Sequence, residues 1–214
     1  MMKGFFRRRE SPNLGKMIRH IKRHFLSRWS MILEFFRHWS GQLRRQEVIA
    51  RMRKGDIVLA SPKTLSLSLP ALLYRLILRS RYVHSMLYIG DGKVIHTTAR
   101  HGVVVGKVPK KIYRKDRYAI FRVRHLSSEK REKLVAEALK WKDQKLDHIG
   151  LITNVPARLL GLERVLLSCE RNRVWCSKLI YEAFFVAGIE LVPPGKAGVI
   201  TSEDLAHIPF VMRI

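Results

Sequence analysis

The sequence predicts an α+β fold, an antiparallel sheet packed with helices and preceded by a basic amphipathic helical segment. Three observations carry that prediction. After Gly55, short β-like segments come first and helical ones follow, an order that builds an antiparallel sheet rather than a βαβ series. A glycine turn, Gly90-Asp91-Gly92, separates two apolar β segments as in a hairpin. Before Gly55, apolar residues recur at helical spacing.

The chain has 214 residues, enough for one compact domain with something extra but too few for two ordinary domains. Its hydrophobic content of 47% excludes a disordered basic tail protein. Forty-two Lys and Arg against 17 Asp and Glu leave a formal charge of +25, which points to a polyanionic partner, nucleic acid or an anionic membrane surface. The 2 cysteines, Cys169 and Cys176, exclude a disulfide framework and a zinc site of the paired CxxC type. Cysteine chemistry must then rest on a single thiol, and no cofactor is called for.

Residues 1–54 form the first segment. They hold fifteen Lys and Arg against three acids, net +12, so a quarter of the chain carries about half the excess charge. Leu14, Ile18, Ile21, Phe25, Trp29, Ile32, Phe36, Trp39 and Leu43 advance by three or four residues, a mean of 3.6. That is one apolar, aromatic face of a helix. Ser40-Gly41 is the expected break before a second short helix ending near Gly55. A basic helix with Trp and Phe on its apolar side suits a membrane interface. The same stripe, within residues 13–53, could instead pack on the domain or on a second copy, or its charge could engage nucleic acid. No apolar run is long enough for a signal-peptide core or a spanning helix, so the expectation is a cytoplasmic protein, held at most at a membrane surface.

Residues 55–214 form the second segment. Asp56 to Ala60 is a short apolar strand. Ser68 and Pro70 open a helix whose apolar face includes Leu72, Leu73, Leu76 and Ile77; it either packs on the core or rims a cleft. Tyr82 to Ile89 and Lys93 to Thr98 are the hairpin strands. Val103 to Val105 and Tyr118 to Val123 are further strands, the second with Tyr and Ile on one face and Ala, Phe and Val on the other. Helices follow from Ser128 to Trp141 and from Cys176 to Ala187, the latter stopped by Gly188 with Pro193-Pro194 beyond.

Cys176 opens its helix, where the positive end of the dipole favours a thiolate. The plain alternative is a buried structural thiol. Cys169 lacks that placement. A nucleophilic thiol needs an imidazole, and the imidazole an orienting group. His84 and His96 lie in the hairpin and are the candidates, although each alone could be an ordinary core or surface histidine. A two-residue loop would send them to opposite faces. A three-residue loop, Gly90-Asp91-Gly92, sets residue 86 across from 96 and makes His84 and His96 diagonal neighbours on one face. The third-position glycine favours the three-residue loop, and with it a shared pocket.

The strings Gly55-Asp-Ile-Val-Leu, Tyr82-Val-His-Ser-Met-Leu-Tyr-Ile-Gly-Asp-Gly-Lys-Val-Ile-His, Trp175-Cys-Ser-Lys-Leu-Ile-Tyr-Glu-Ala-Phe and Gly188-Ile-Glu-Leu resemble the circularly permuted branch of the NlpC-type papain-like hydrolases. That branch includes the YiiX/YebB-like bacterial proteins and the lecithin retinol acyltransferase group. The resemblance covers roughly residues 52–210 and rests on the permuted order, histidine strand before cysteine helix. It implies Cys176 as nucleophile, His84 as general base and His96 as the residue that orients it. Leu146 departs from the Tyr-Asp pair of many relatives, and Asp147 is read as structural. The implied reaction is acyl transfer through a thioester, on peptide amides or on lipid acyl esters or amides. A different class of function is a non-catalytic basic module that engages nucleic acid or membrane and keeps a vestigial site.

Overall fold

The computed structural model describes residues 39–62, 80–165 and 173–214. The Leu14–Phe36 part of the apolar stripe, the helix expected from Ser68, and Cys169 lie outside them. Two compact units are present, Met1–Leu43 and Arg44–Ile214; residues 44–54 therefore belong to the second.

The elements run in order from α1 (residues 39–51) through β1 (Ile57–Ala60), β2 (His84–Gly90), β3 (Lys93–Thr98), β4 (Gly102–Lys107) and β5 (Tyr118–Val123). Then come α2 (Ser128–Lys140), β6 (Lys145–Leu146), α3 (His148–Leu159), β7 (Arg173–Val174), α4 (Cys176–Val186), α5 (Pro194–Ala197), α6 (Ser202–Ala206) and β8 (Val211–Arg213). The fold is α+β. Six strands form one antiparallel sheet in the order β4-β3-β2-β1-β5-β8, and β6 pairs with β7 in a separate parallel ribbon.

Strand alternation builds a core on each face of the sheet. Ile57, Leu59, Leu87, Ile95, Ala119 and Phe121 pack with Leu134 and Ala138 of α2 and with Leu179, Ile180, Ala183 and Phe184 of α4. On the other face Val58, Met86, Tyr88, Val94 and Ile120 join Met52, with Val48 and Ile49 of α1 against them. Helix α1 runs through Ser40-Gly41, a correction to the break expected there. A helical glycine costs only about 1 kcal/mol, and the turns that follow it are held by Val48, Ile49 and the bond from Arg45 Nη2 to the Val108 carbonyl at 2.9 Å.

The β2–β3 hairpin differs in detail from the three-residue loop. Leu87 stands opposite Ile95 and Tyr88 opposite Val94, but Gly90 opposite Lys93, so Ile89 is an extra residue in β2. Gly90, Asp91 and Gly92 have φ of 102, 50 and 65°. The tip is the two-residue turn Asp91-Gly92, with positive φ at both positions, and a bulge beside it shifts the register by one. The ladder beyond the bulge is the one that the longer loop would have set.

Helices α3, α5 and α6 and strands β6 to β8 are absent from the sequence prediction. Gly150 and Pro156 inside α3 weaken its helical signal. Tertiary packing overrides them. Asp147 caps the helix, its Oδ1 accepting from the Gly150 N–H at 2.8 Å. A Cβ at Gly150 would collide with that carboxylate and come within 2.9 Å of the Trp175 ring.

A part-buried ion pair fastens the start of β1 to β5. Asp56 is fully buried, and its two oxygens accept from Arg122 Nε at 2.8 Å and Nη2 at 2.7 Å; the Arg53 N–H adds a bond at 2.8 Å. Asp56→Ala removes the acceptor of both bonds, leaving the guanidinium its bond to the Arg51 carbonyl, and is expected to lower stability by about 2–3 kcal/mol, measured as a fall in the urea midpoint.

Candidate active site

Helix α4 starts where the chain leaves β7. Its N-cap is Trp175, in extended conformation and without a side-chain cap bond, and the indole is buried with Nε1 donating to the Ile200 carbonyl at 3.0 Å. The helix buries Leu179, Ile180, Ala183 and Phe184 against the sheet, which aims its N-terminus at the end of β2. Cys176, its first residue, is buried.

His84 is the first residue of β2, and His96 lies in β3. Their rings meet edge to face with centroids 5.2 Å apart, and His84 Nε2 lies 3.1 Å from His96 Nδ1. The structure therefore sets both histidines on one face. Burial, and secondly the charge of His84, lower the pKa of His96 to about 4, against an opposing bond to the Thr97 backbone. His96 is neutral at pH 7 and engages His84 through its Nε2. That leaves Nδ1 of His84 to meet the thiol.

Opposing forces act on Cys176. Burial pushes its pKa up, but hydrogen bonding with His84, the charge of His84, and bonds from the Ser85 hydroxyl and backbone outweigh it, and the pKa falls to about 6. Ser85 is fully buried and its hydroxyl makes no conventional hydrogen bond; the thiolate is the acceptor that it serves. A second hydroxyl, Ser202 Oγ, lies 3.9 Å from the sulfur.

The segment 199–204 braces this arrangement. The Ile200 carbonyl accepts from Ser177 Oγ at 2.8 Å as well as from Trp175. Thr201 and Asp204 form a capping box at the start of α6, and Asp204 is gripped by both terminal nitrogens of Arg158 at 2.7 and 3.1 Å. Glu203 Oε2 accepts from the N–H groups of Arg81 and Tyr82 at 2.6 and 3.0 Å, just before His84. One short helix thus touches both the cysteine helix and the approach to the histidine strand. Sequence reasoning missed Ser85, Ser202, Glu203 and Asp204. The Thr201-Ser-Glu-Asp204 string is a capping-box signature and could have located α6; nothing in the sequence marks Ser85.

No protein-family model and no curated protein matches the chain. Among solved structures it is similar to the crystal structure of metalloprotein yiiX from Escherichia coli O157:H7, with a TM-score of 0.55 and 17% identity over 76% of this chain and 96% of that one. The likeness is one of fold, a YiiX-like arrangement of sheet and helices. Among the described residues of this chain, no three His, Cys, Asp or Glu side chains are placed to hold a metal ion, and the site is read from its own thiol and imidazoles. Also among the described residues, no helix is long and apolar enough to cross a membrane.

The pKa of Cys176 has a direct consequence. Because it lies below the ordinary thiol value, the reactive thiolate predominates above about pH 6. Alkylation by iodoacetamide is expected to rise with pH through a midpoint near 6. In His84→Ala the burial effect is less opposed, and the midpoint is expected to move up, to the ordinary thiol range or beyond.

Proposed function

We propose that the domain is a cysteine-dependent hydrolase or acyltransferase of the permuted papain-like type, acting on amide or ester bonds through a thioester. The observation that carries this reading is the contact order Cys176–His84–His96, a lowered thiol against an imidazole whose far nitrogen is held by a neutral second imidazole. The chain order supports it too, since the histidine strand precedes the cysteine helix. So does a fold similar to that of yiiX.

In the reaction, Cys176 Sγ bonds to the carbonyl carbon and the C=O electron pair moves to oxygen. The Cys176 N–H, on a helix whose Trp cap contributes no side-chain bond, is the first donor to that oxyanion. When the carbonyl re-forms, His84 gives its proton to the departing amine or alcohol and a thioester remains. Water, or a second acceptor, loses a proton to His84 and attacks the thioester, which regenerates the thiolate. His96 keeps the Nδ1 side of His84 turned to these atoms.

The basic N-terminal segment is the address in this reading. Trp39 and Leu43, the last two members of its apolar stripe, are 57% and 48% exposed, and the net +12 of residues 1–54, eight of it within residues 1–43, favours an anionic bilayer. Peptide and lipid acyl groups both remain substrates compatible with the site.

An electrophilic thiol probe is expected to label the wild type rapidly, to miss Cys176→Ala, and to label His84→Ala at least about 100-fold more slowly. Equal labelling of wild type and His84→Ala, together with salt-sensitive DNA binding, would favour the non-catalytic module. The address has its own measurement. In flotation with vesicles containing phosphatidylserine, the full chain is expected to rise with the lipid and a chain lacking residues 1–43 to stay below; equal flotation of the two removes the N-terminal segment from the reading.

A further inference from the structure

We propose that the Ser202 hydroxyl is the second hydrogen-bond donor to the oxyanion formed at Cys176; this assignment rests on the nucleophilic role proposed for that cysteine. Ser202 is buried and its Oγ lies 3.9 Å from Cys176 Sγ. That separation is long for a committed bond to sulfur. It suits a donor meant for an atom not yet there, since the oxyanion sits beside the sulfur, one carbon away, and wants donors at about 3 Å from itself.

The two hydroxyls around the thiol divide the work. Ser85 bonds the thiolate through both its hydroxyl and its backbone, so its interaction is already spent in the ground state. Ser202 is not among the groups that lower the thiol. A donor that engages only after attack stabilises the transition state more than the ground state, and only such a difference raises the chemical rate. As sulfur gives its negative charge to the carbonyl oxygen, the Ser202 O–H finds in that oxygen the acceptor that the thiolate was not.

The position of Ser202 is fixed in advance. It is the first residue of α6, between the Thr201–Asp204 capping box and Glu203. Asp204 is held by Arg158, and Arg158 Nη1 also bonds the Val199 carbonyl at 3.2 Å. Ile200 is held by Trp175 and Ser177 from the cysteine helix itself. Among the described residues the Ser202 hydroxyl has no partner other than the thiol. A side chain this well placed and this lightly engaged costs no reorganisation when charge develops.

The test compares two reagents on the full chain. Iodoacetamide is attacked by the thiolate with displacement of iodide and no oxyanion forms. p-Nitrophenyl acetate is attacked at a carbonyl, passes through the oxyanion, and releases p-nitrophenolate in a burst as the acetyl thioester forms. Ser202→Ala is expected to keep the wild-type alkylation rate and its pH midpoint while its burst rate falls about 100-fold; Ser202→Thr, which keeps a hydroxyl, recovers most of that loss. An unchanged burst in Ser202→Ala overturns the assignment. So does an equal loss of alkylation and acylation, which would make Ser202 a support of the thiolate or of packing. A wild type that alkylates readily but gives no burst also overturns it, with the thiolate intact. A wild type with neither overturns the nucleophilic role of Cys176 itself.

Discussion

The register of the β2–β3 hairpin is the constraint on which the site depends. Strand side chains alternate strictly, so a slip of one residue would carry His96 to the opposite face and break its 3.1 Å contact with His84. The extra residue Ile89, beside Gly90 at φ 102°, is what sets the ladder with Leu87 opposite Ile95. The same alternation sends Ser85 to the face that carries α4, as it does Leu87. One strand end therefore presents an imidazole on one side and, on the other, a hydroxyl that lowers the thiol. Because His84 is the first residue of β2, its ring stands at the margin of the sheet, where the N-terminus of α4 can reach it.

A correct register would still leave the thiol and the imidazole on separate elements. Helix α4 is packed on the sheet by Leu179, Ile180, Ala183 and Phe184, which fixes its distance but allows small slides along its axis. The segment 199–204 removes that freedom. It bonds the start of α4 through Trp175 and Ser177 and the approach to β2 through Glu203. The Arg158–Asp204 pair then ties the same segment to α3. This pair is only partly buried, with side chains 30% and 23% exposed, and its value lies in direction more than in energy, since a two-point grip on a carboxylate admits one orientation.

What the sequence made legible follows the strength of local signals. Strand β5 and helix α2 were readable to within a residue because strand alternation and helix patterning are local signals. The shared face of the histidines was readable too, although through a loop that the structure resolves into a turn and a bulge, two devices with the same effect on register. Helix α3 was not readable, since Gly150 and Pro156 are poor helix formers and their reasons lie elsewhere, Gly150 against Trp175 twenty-five residues on. The candidate nucleophile and both imidazoles carry local marks, a helix start and a hairpin. Ser85 and Ser202 carry none, because a buried serine declares itself only through what surrounds it. The two hydroxyls beside the thiol are thus the parts hidden from one-dimensional reading.

The large positive charge and the lowered thiol are separate matters, and their ranges show why. Screening limits interactions between exposed charges to roughly 8–10 Å at physiological salt. The Cys176 thiol is buried, and its lowering comes from two adjacent residues, His84 and Ser85, against the effect of burial, with no lysine or arginine among the causes. His96, neutral because it is buried, adds no positive charge to help; it fixes a nitrogen instead. Twelve of the +25 lie in the first quarter of the sequence, whereas the lowering of the thiol is accounted for by His84 and Ser85. In the reading proposed above, address and chemistry therefore rest on different residues, and a substitution that alters one is not expected to alter the other.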